Sequence, residues 1–372
     1  MESLNSFFKN VLKKDLPFVV YSKPGQHQAQ AYCQQDKSLH FVDTFKEEGF
    51  VFAPFDTQKP PILFPKGSTK HYAYEYIRDT EVHVPVSLDS VGQKDTHIAL
   101  VKKGVDAIAN GEMEKVVLSR KQNIPLQNND PYTAMMRLLS KYPLAFVYCW
   151  FHPEVGLWLG ATPETLLHIK NGYLETMALA GTQAYTGKLD VDWGAKERKE
   201  QELVTQSIIE NLEALVQDSL VVDGPETAKA GSLLHLKTSI KARLDVNVTS
   251  IKSVLHALHP TPAICGLPRE SATSFIAAHE GYDRAYYTGY LGELNHKETL
   301  QRSRSNRNIE NKAYQAVKTS TRLFVNLRCM QWENNEAHIY VGGGITQESI
   351  PEKEWEETQH KLETMYSILA SG

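Results

Sequence analysis

No apolar run in this 372-residue chain approaches the ~20 residues a bilayer-spanning helix needs, so a membrane span is not expected. The opening MESLNSFFKNVLKKDLPFVVY has lysines on both sides of short apolar patches and lacks a continuous apolar core and a small-residue cleavage site, so it is not expected to be a secretory signal. Cysteine is scarce: Cys33, Cys149, Cys265 and Cys329 are scattered without CxxC spacing, against both a zinc site and a disulfide framework, and a reducing cytosol fits. Basic excess is missing too. A net charge of -4 gives no reason to expect nucleic acid or an anionic membrane as partner. What remains, 41% apolar and 23% charged, is an ordinary globular composition, long enough for two domains or one large α+β domain. A small molecule is the default ligand, a monomer the default state, and no obligatory protein partner is expected.

The most suggestive stretch is near the end, AHIYVGGGITQESIPEKEWEETQHKLETM. Ile339, Tyr340 and Val341 read as a strand, Gly342, Gly343 and Gly344 as a turn that breaks it, and a helix opens near Pro351. At about 100° per residue, Glu354, Glu357 and Lys361 share one face of that helix, while Glu352 and Glu356 fall opposite. Two carboxylates beside a glycine turn suit a hard cation such as Mg²⁺ with an anionic ligand. They equally suit a solvated amphipathic helix.

Residues 1–95 read as a variable, strand-rich opening without a catalytic constellation, and 96–372 carry the chemistry. A helix over about Lys94–Gly111 precedes the strand KVVLSR, which opens on Lys115, either an edge-guarding lysine or one desolvated at the mouth of a buried strand. FVYCWF and GLWLGA form a hairpin running into Thr162-Pro163-Glu164, where Glu164 is a first-turn carboxylate or a site acid. Along the helix of about Lys196–Gln217, Glu200 continues the stripe of Val204, Ile208, Leu212 and Leu215. An inward carboxylate must be paired, protonated or metal-bound. The loop His259-Pro260-Thr261-Pro262-Ala263 holds a histidine that is structural or polarises a substrate, and RLFVNLRCMQW reads as one strand with Arg328 among apolar neighbours.

Taken together, KVVLSR, GATPETLL, T-x-A-L-A-G-T, K-x-x-x-E-x-E-L-V, HPTPA-x-x-G-x-P, YDRAYYTGYLG, LFVNLRC, GGGI and EWEETQHKL resemble the chorismate-utilising enzymes, in the family's order from Ile98 to the C-terminus. The resemblance implies a single α+β fold of two mostly antiparallel sheets packed in the core with helices outside. It implies Mg²⁺ held by Glu200, Glu354 and Glu357, and substrate contacts from Gly181, His259, Ala263, Arg328, Gly342, Gly344 and Lys361. Glu164 matches the family's general acid. Lys115 matches the base of members that attack with water, where aminating members have glutamine. The implied reaction is therefore chorismate to isochorismate. Salicylate synthesis by added pyruvate elimination is the alternative; an aminating synthase and a silent chorismate-binding protein fit less well. Menaquinone and siderophore routes both use the product. Where the family usually has K-D-x-x-E-H and GAG, this chain has Lys196-Glu197-Arg198-Lys199-Glu200-Gln201 and GGG, so Gln201 is expected to alter support for the metal.

Overall fold

The computed structural model describes residues 3–78, 93–126, 130–245, 249–300 and 316–369. In chain order its elements are α1 (Leu4–Lys13), β1 (Phe18–Ser22), β2 (Gln28–Gln34), β3 (His40–Phe41), β4 (Gly49–Ala53), β5 (Ile62–Pro65), β6 (Thr69–Glu75), α2 (Gln93–Ala109), β7 (Lys115–Pro125) and α3 (Pro131–Lys141). Then come β8 (Phe146–His152), β9 (Gly156–Thr162), β10 (Thr165–Lys170), β11 (Tyr173–Ala184), α4 (Ala195–Glu213), β12 (Val221–Ala230), β13 (Leu233–Arg243), α5 (Ile251–Leu258), β14 (Gly266–Leu267) and α6 (Arg269–His279). β15 (Tyr290–Leu300), β16 (Ala316–Val325), β17 (Cys329–Glu333), β18 (Glu336–Ile345) and α7 (Pro351–Leu369) complete it. None of these helices is long and apolar enough to cross a membrane.

The strands form two nine-stranded antiparallel sheets, ordered β14-β7-β18-β17-β9-β8-β1-β2-β6 and β12-β13-β11-β10-β16-β15-β4-β5-β3. Strand alternation writes the layers. In β8, Phe146, Tyr148 and Trp150 join an aromatic core shared with Phe50, Phe52 and Phe324 of the other sheet, while Val147 and Cys149 face the opposite way. The aromatic side chains therefore fill the space between the sheets. The outer face of the first sheet is covered by Phe7 and Phe8 of α1, Leu138 of α3 and Leu362 of α7, and that of the second by Ile208 of α4 and Leu255 of α5. The expected two-sheet α+β arrangement is what forms.

The opening segment is woven into both sheets, β1 against β8 and β4 against β15. It also starts with a helix that the strand-rich reading missed. Leu4, Phe7, Phe8 and Val11 are its buried stripe and Ser3 caps it by accepting from Ser6 N–H, so the signal was present in the spacing. Other expectations are corrected by the sheets. RLFVNLRCMQW is not one strand: β16 belongs to the second sheet and β17 to the first, and the chain crosses between them at Asn326–Arg328. No helix follows Pro163. Glu164 lies on the opposite crossing, from β9 to β10.

A buried ion pair locks the strands to the loop before β15. Arg284 donates to Glu280 at 2.5 Å, to the Val117 carbonyl at 2.7 Å and to the Ile264 carbonyl at 2.9 Å, and Glu280 also accepts from Ser119 N–H at 2.7 Å. Removing one partner strands the other charge in a dry interior, which costs about 3–5 kcal/mol. Arg284→Met is accordingly expected to lower the unfolding free energy by that order in urea titrations, and adding Glu280→Gln to recover part of it.

Candidate active site

The two crossings between sheets meet. Val325 N–H donates to the Glu164 carbonyl and Ala161 N–H to the Arg328 carbonyl, both at 3.0 Å, so each crossing satisfies backbone groups of the other. Arg328 is left-handed there, with φ of 48°. This seam opens into a cavity lined by Glu164, Gly181, Glu200, His235, Ala263, Arg328, Gly342, Gly343, Gly344, Glu357 and Lys361, together with Tyr287 and Tyr340.

Glu164 is 2% exposed, and burial, only partly offset by Lys115 and Arg328, pushes its carboxyl up to about 8. At neutral pH it is a proton donor. Lys115 heads β7 and is 0% exposed, which removes the edge-guard reading. It shares the inward-facing side of β7 with Val117, while Val116 and Leu118 pack on α2 and α6. Its Nζ lies 3.0 Å from Glu200 Oε1, an ion-pair distance, yet off the line of any hydrogen bond. Lys115 does not line the cavity itself; Glu200, which does, holds its Nζ.

The three glycines are not a turn. They lie inside β18, in register with Ser119, Leu118 and Val117 of β7, and the strand continues to Ile345. Their function is bareness. A Cβ at Gly344 would stand 2.0 Å from Glu200 Oε1 and 3.0 Å from Lys115 Cε, and one at Gly343 would stand 3.3 Å from Glu357 Oε1 and 3.4 Å from Glu354 Oε2. Since successive side chains leave a strand on opposite faces, Glu200 approaches β18 from inside and the Glu354 and Glu357 pair from the α7 side. The three carboxylates do not converge on one point as the sequence reading expected. Among the described residues no three His, Cys, Asp or Glu side chains are grouped to hold a metal.

Each carboxylate has instead a lysine. Glu357 Oε1 accepts from Lys361 Nζ at 2.6 Å, and Lys361 also donates to the Gly342 carbonyl at 2.8 Å. Glu354 Oε1 pairs with Lys196, while its buried Oε2 has no partner. Burial and then Glu357 raise the Glu354 carboxyl; burial also works on Glu357, but Lys361 and Lys196 outweigh it and hold that carboxyl below its ordinary value. The unpartnered Oε2 and the adjoining Glu357 Oε1 over a bare Gly343 fit Mg²⁺, which takes only one or two protein carboxylates.

Sequence reasoning missed Lys196 and His235. Lys196 stands one helical turn before Glu200 on α4, and that i, i+4 spacing was the available signal. His235 carried none, because its role comes from pairing across β13. Its Nδ1–H donates to the Gly181 carbonyl at 2.9 Å, which leaves Nε2 to accept from Arg328 Nη2 at 3.0 Å. Burial, then Arg328 and Lys361, push its pKa down to about 3, so the ring is neutral and fixes the guanidinium. Gly181 itself, at φ of 69°, sits at a break in the β11–β13 register.

Two expectations move elsewhere. His259 does not line the cavity: it packs edge-on against Tyr290, with ring centroids 5.0 Å apart, and burial with Arg269 lowers its pKa to about 3. Gln201 spends its side chain on the backbone and a hydroxyl of neighbouring strands. Its amide accepts from Ala180 N–H at 2.8 Å and donates to the Ala178 carbonyl and Thr238 hydroxyl, clamping α4 onto β11 and β13.

Comparison with known proteins bears on the family and the fold. The family described as "Chorismate binding enzyme" matches residues 69–300, and a second model of that description matches 313–367. The "Salicylate biosynthesis isochorismate synthase" of Pseudomonas aeruginosa is 31% identical over 281 residues, 73% of this chain but 54% of that protein, so the chain spans about half that relative's length. "Isochorismate synthase EntC" of Escherichia coli K12 is 27% identical over 332 residues, covering 85% of this chain and 79% of EntC. Among solved structures, the putative 2,3-dihydroxybenzoate-specific isochorismate synthase DhbC from Bacillus anthracis superimposes with a TM-score of 0.74 at 20% identity, over 98% of this chain and 99% of that one, a likeness of fold. The chain belongs to the family of chorismate-binding enzymes.

Proposed function

We propose that this chain is an isochorismate synthase, an isomerase that moves the hydroxyl of chorismate from C4 to C2. The observation that carries the reading is the placement of a buried, proton-bearing Glu164 within the electrostatic reach of a fully buried lysine at the head of β7. The names of relatives in P. aeruginosa and E. coli support it.

In this reading Arg328 and Lys361 bind the substrate's two carboxylates, and His235 keeps the Arg328 guanidinium turned toward them. Lys115 takes a proton from water as the oxygen bonds to C2; the ring double bonds shift, the C4–O bond breaks, and the departing hydroxyl takes the Glu164 proton and leaves as water. A base needs a lone pair, so the Lys115–Glu200 contact has to open for turnover. Glu354 and Glu357 would hold Mg²⁺, with Glu200 on the other face of β18 facing Lys115, and the ion when bound would supply positive charge against a substrate carboxylate. The free, buried state of all four cysteines suits a cytosolic enzyme.

Purified protein incubated with chorismate and Mg²⁺ is expected to yield isochorismate alone on chromatography; salicylate with pyruvate would establish the added elimination, and no conversion with or without ammonia would refute the reading. Lys115→Gln is expected to lower kcat by about 10²–10⁴-fold while chorismate still binds in calorimetry. Unimpaired turnover would remove Lys115 from the base role. The pH profile follows from Glu164: an acid required in its protonated form and titrating at about 8 gives a kcat/KM that falls above about pH 8, tenfold per unit. Glu164→Gln should remove turnover altogether.

A further inference from the structure

A second cavity backs onto the substrate cavity. It occupies about 460 Å³, a size typical of small-molecule sites, and Pro163 and Arg328 belong to the walls of both. One side is apolar, made by Tyr142, Pro143, Leu144 and Ala145, with Leu144 74% exposed. The other side is cationic. Lys141, Lys229 and Arg328 line it, and among the described residues no aspartate or glutamate does. Lys141 Nζ is held by the Ser367 hydroxyl, Lys229 lies 3.7 Å from the centroid of the Tyr185 ring, and Arg328 is held by His235 and, at 3.5 Å, by the Thr364 hydroxyl. Glu363 acts on Lys141 electrostatically but stands outside the wall.

A crevice that shares Thr182 and Glu357 with the substrate cavity has the reverse character. Glu197, Glu348, Glu354, Glu356 and Glu357 line it against Lys196, Lys353 and His360. An organic anion is repelled there and attracted to the cavity at Arg328. Three cationic side chains around an apolar slot, with no carboxylate among the described wall residues to neutralise them, are the complement of a flat ring bearing a carboxylate.

We propose that this cavity is an effector site for a planar aromatic carboxylate, with the ring on the Tyr142 to Ala145 wall and the carboxylate among Lys141, Lys229 and Arg328. The inference rests on the assignment of Arg328 to the substrate. An occupant draws on the same guanidinium from behind and stands against Pro163, one residue before Glu164, so binding lowers turnover. The chemical class resembles what aromatising steps downstream of a cyclohexadiene product yield, which makes the effect a feedback.

The test uses the full chain with salicylate as a one-ring and 2-naphthoate as a two-ring probe, by calorimetry and as inhibitors of chorismate turnover. Wild type is expected to bind at least one probe below millimolar concentration. Lys141→Gln with Lys229→Gln should weaken it about tenfold and relieve inhibition in parallel, with kcat and KM for chorismate unchanged in the absence of probe. Lys141→Arg with Lys229→Arg should restore binding. Affinity unchanged in the glutamine pair would place the probe in the substrate cavity and overturn the proposal, as would no binding at millimolar concentration. Calorimetry needs no turnover, so a chain that binds the probe yet makes no isochorismate would fail the functional reading and not this one.

Discussion

The structure depends on a single constraint, that two strand connections crossing between the sheets must satisfy each other's backbone in a dry interior. Thr162 to Glu164 goes one way and Asn326 to Arg328 the other, and the exchanged bonds, Val325 to Glu164 and Ala161 to Arg328, leave neither carbonyl orphaned. The seam places an acid and a guanidinium side by side where the aromatic core ends. Burial is then what gives Glu164 its chemistry, since removal from water raises a carboxyl while the neighbouring cations only moderate the shift.

Around that seam the charges are organised as pairs that can be taken apart. Lys115 faces Glu200, Lys196 faces Glu354 and Lys361 faces Glu357, so each of these carboxylates has a cationic neighbour. Such partly buried pairs contribute little net stability, because desolvation offsets much of the attraction. That is an advantage for a binding site. A ligand that exchanges partners with these groups meets side chains already positioned, instead of having to recruit them from solvent.

The glycine strand shows how backbone serves such a site. β18 remains a full member of its sheet through Gly342, Gly343 and Gly344, yet it is thin enough that carboxylates close over it from two faces. His235 adds order: one ring nitrogen on the Gly181 carbonyl, the other on Arg328, in a tautomer set by the first bond.

The sequence by itself determined the elements and much of the site. Period-2 alternation in FVYCWF, the stripe of α4, and the common face of Glu354, Glu357 and Lys361 are local properties, fixed by strand and helix geometry, and the ordered motifs pointed to chorismate chemistry. Tertiary structure decided the rest. Whether Gly342 to Gly344 bend or run straight is set by their pairing with β7; whether RLFVNLRCMQW is one strand or two is set by the sheet each half joins; and whether His259 or His235 reaches Arg328 is set by strand neighbours far apart in the chain. These are contacts between distant residues, and side-chain spacing along one segment carries no record of what lies across from it.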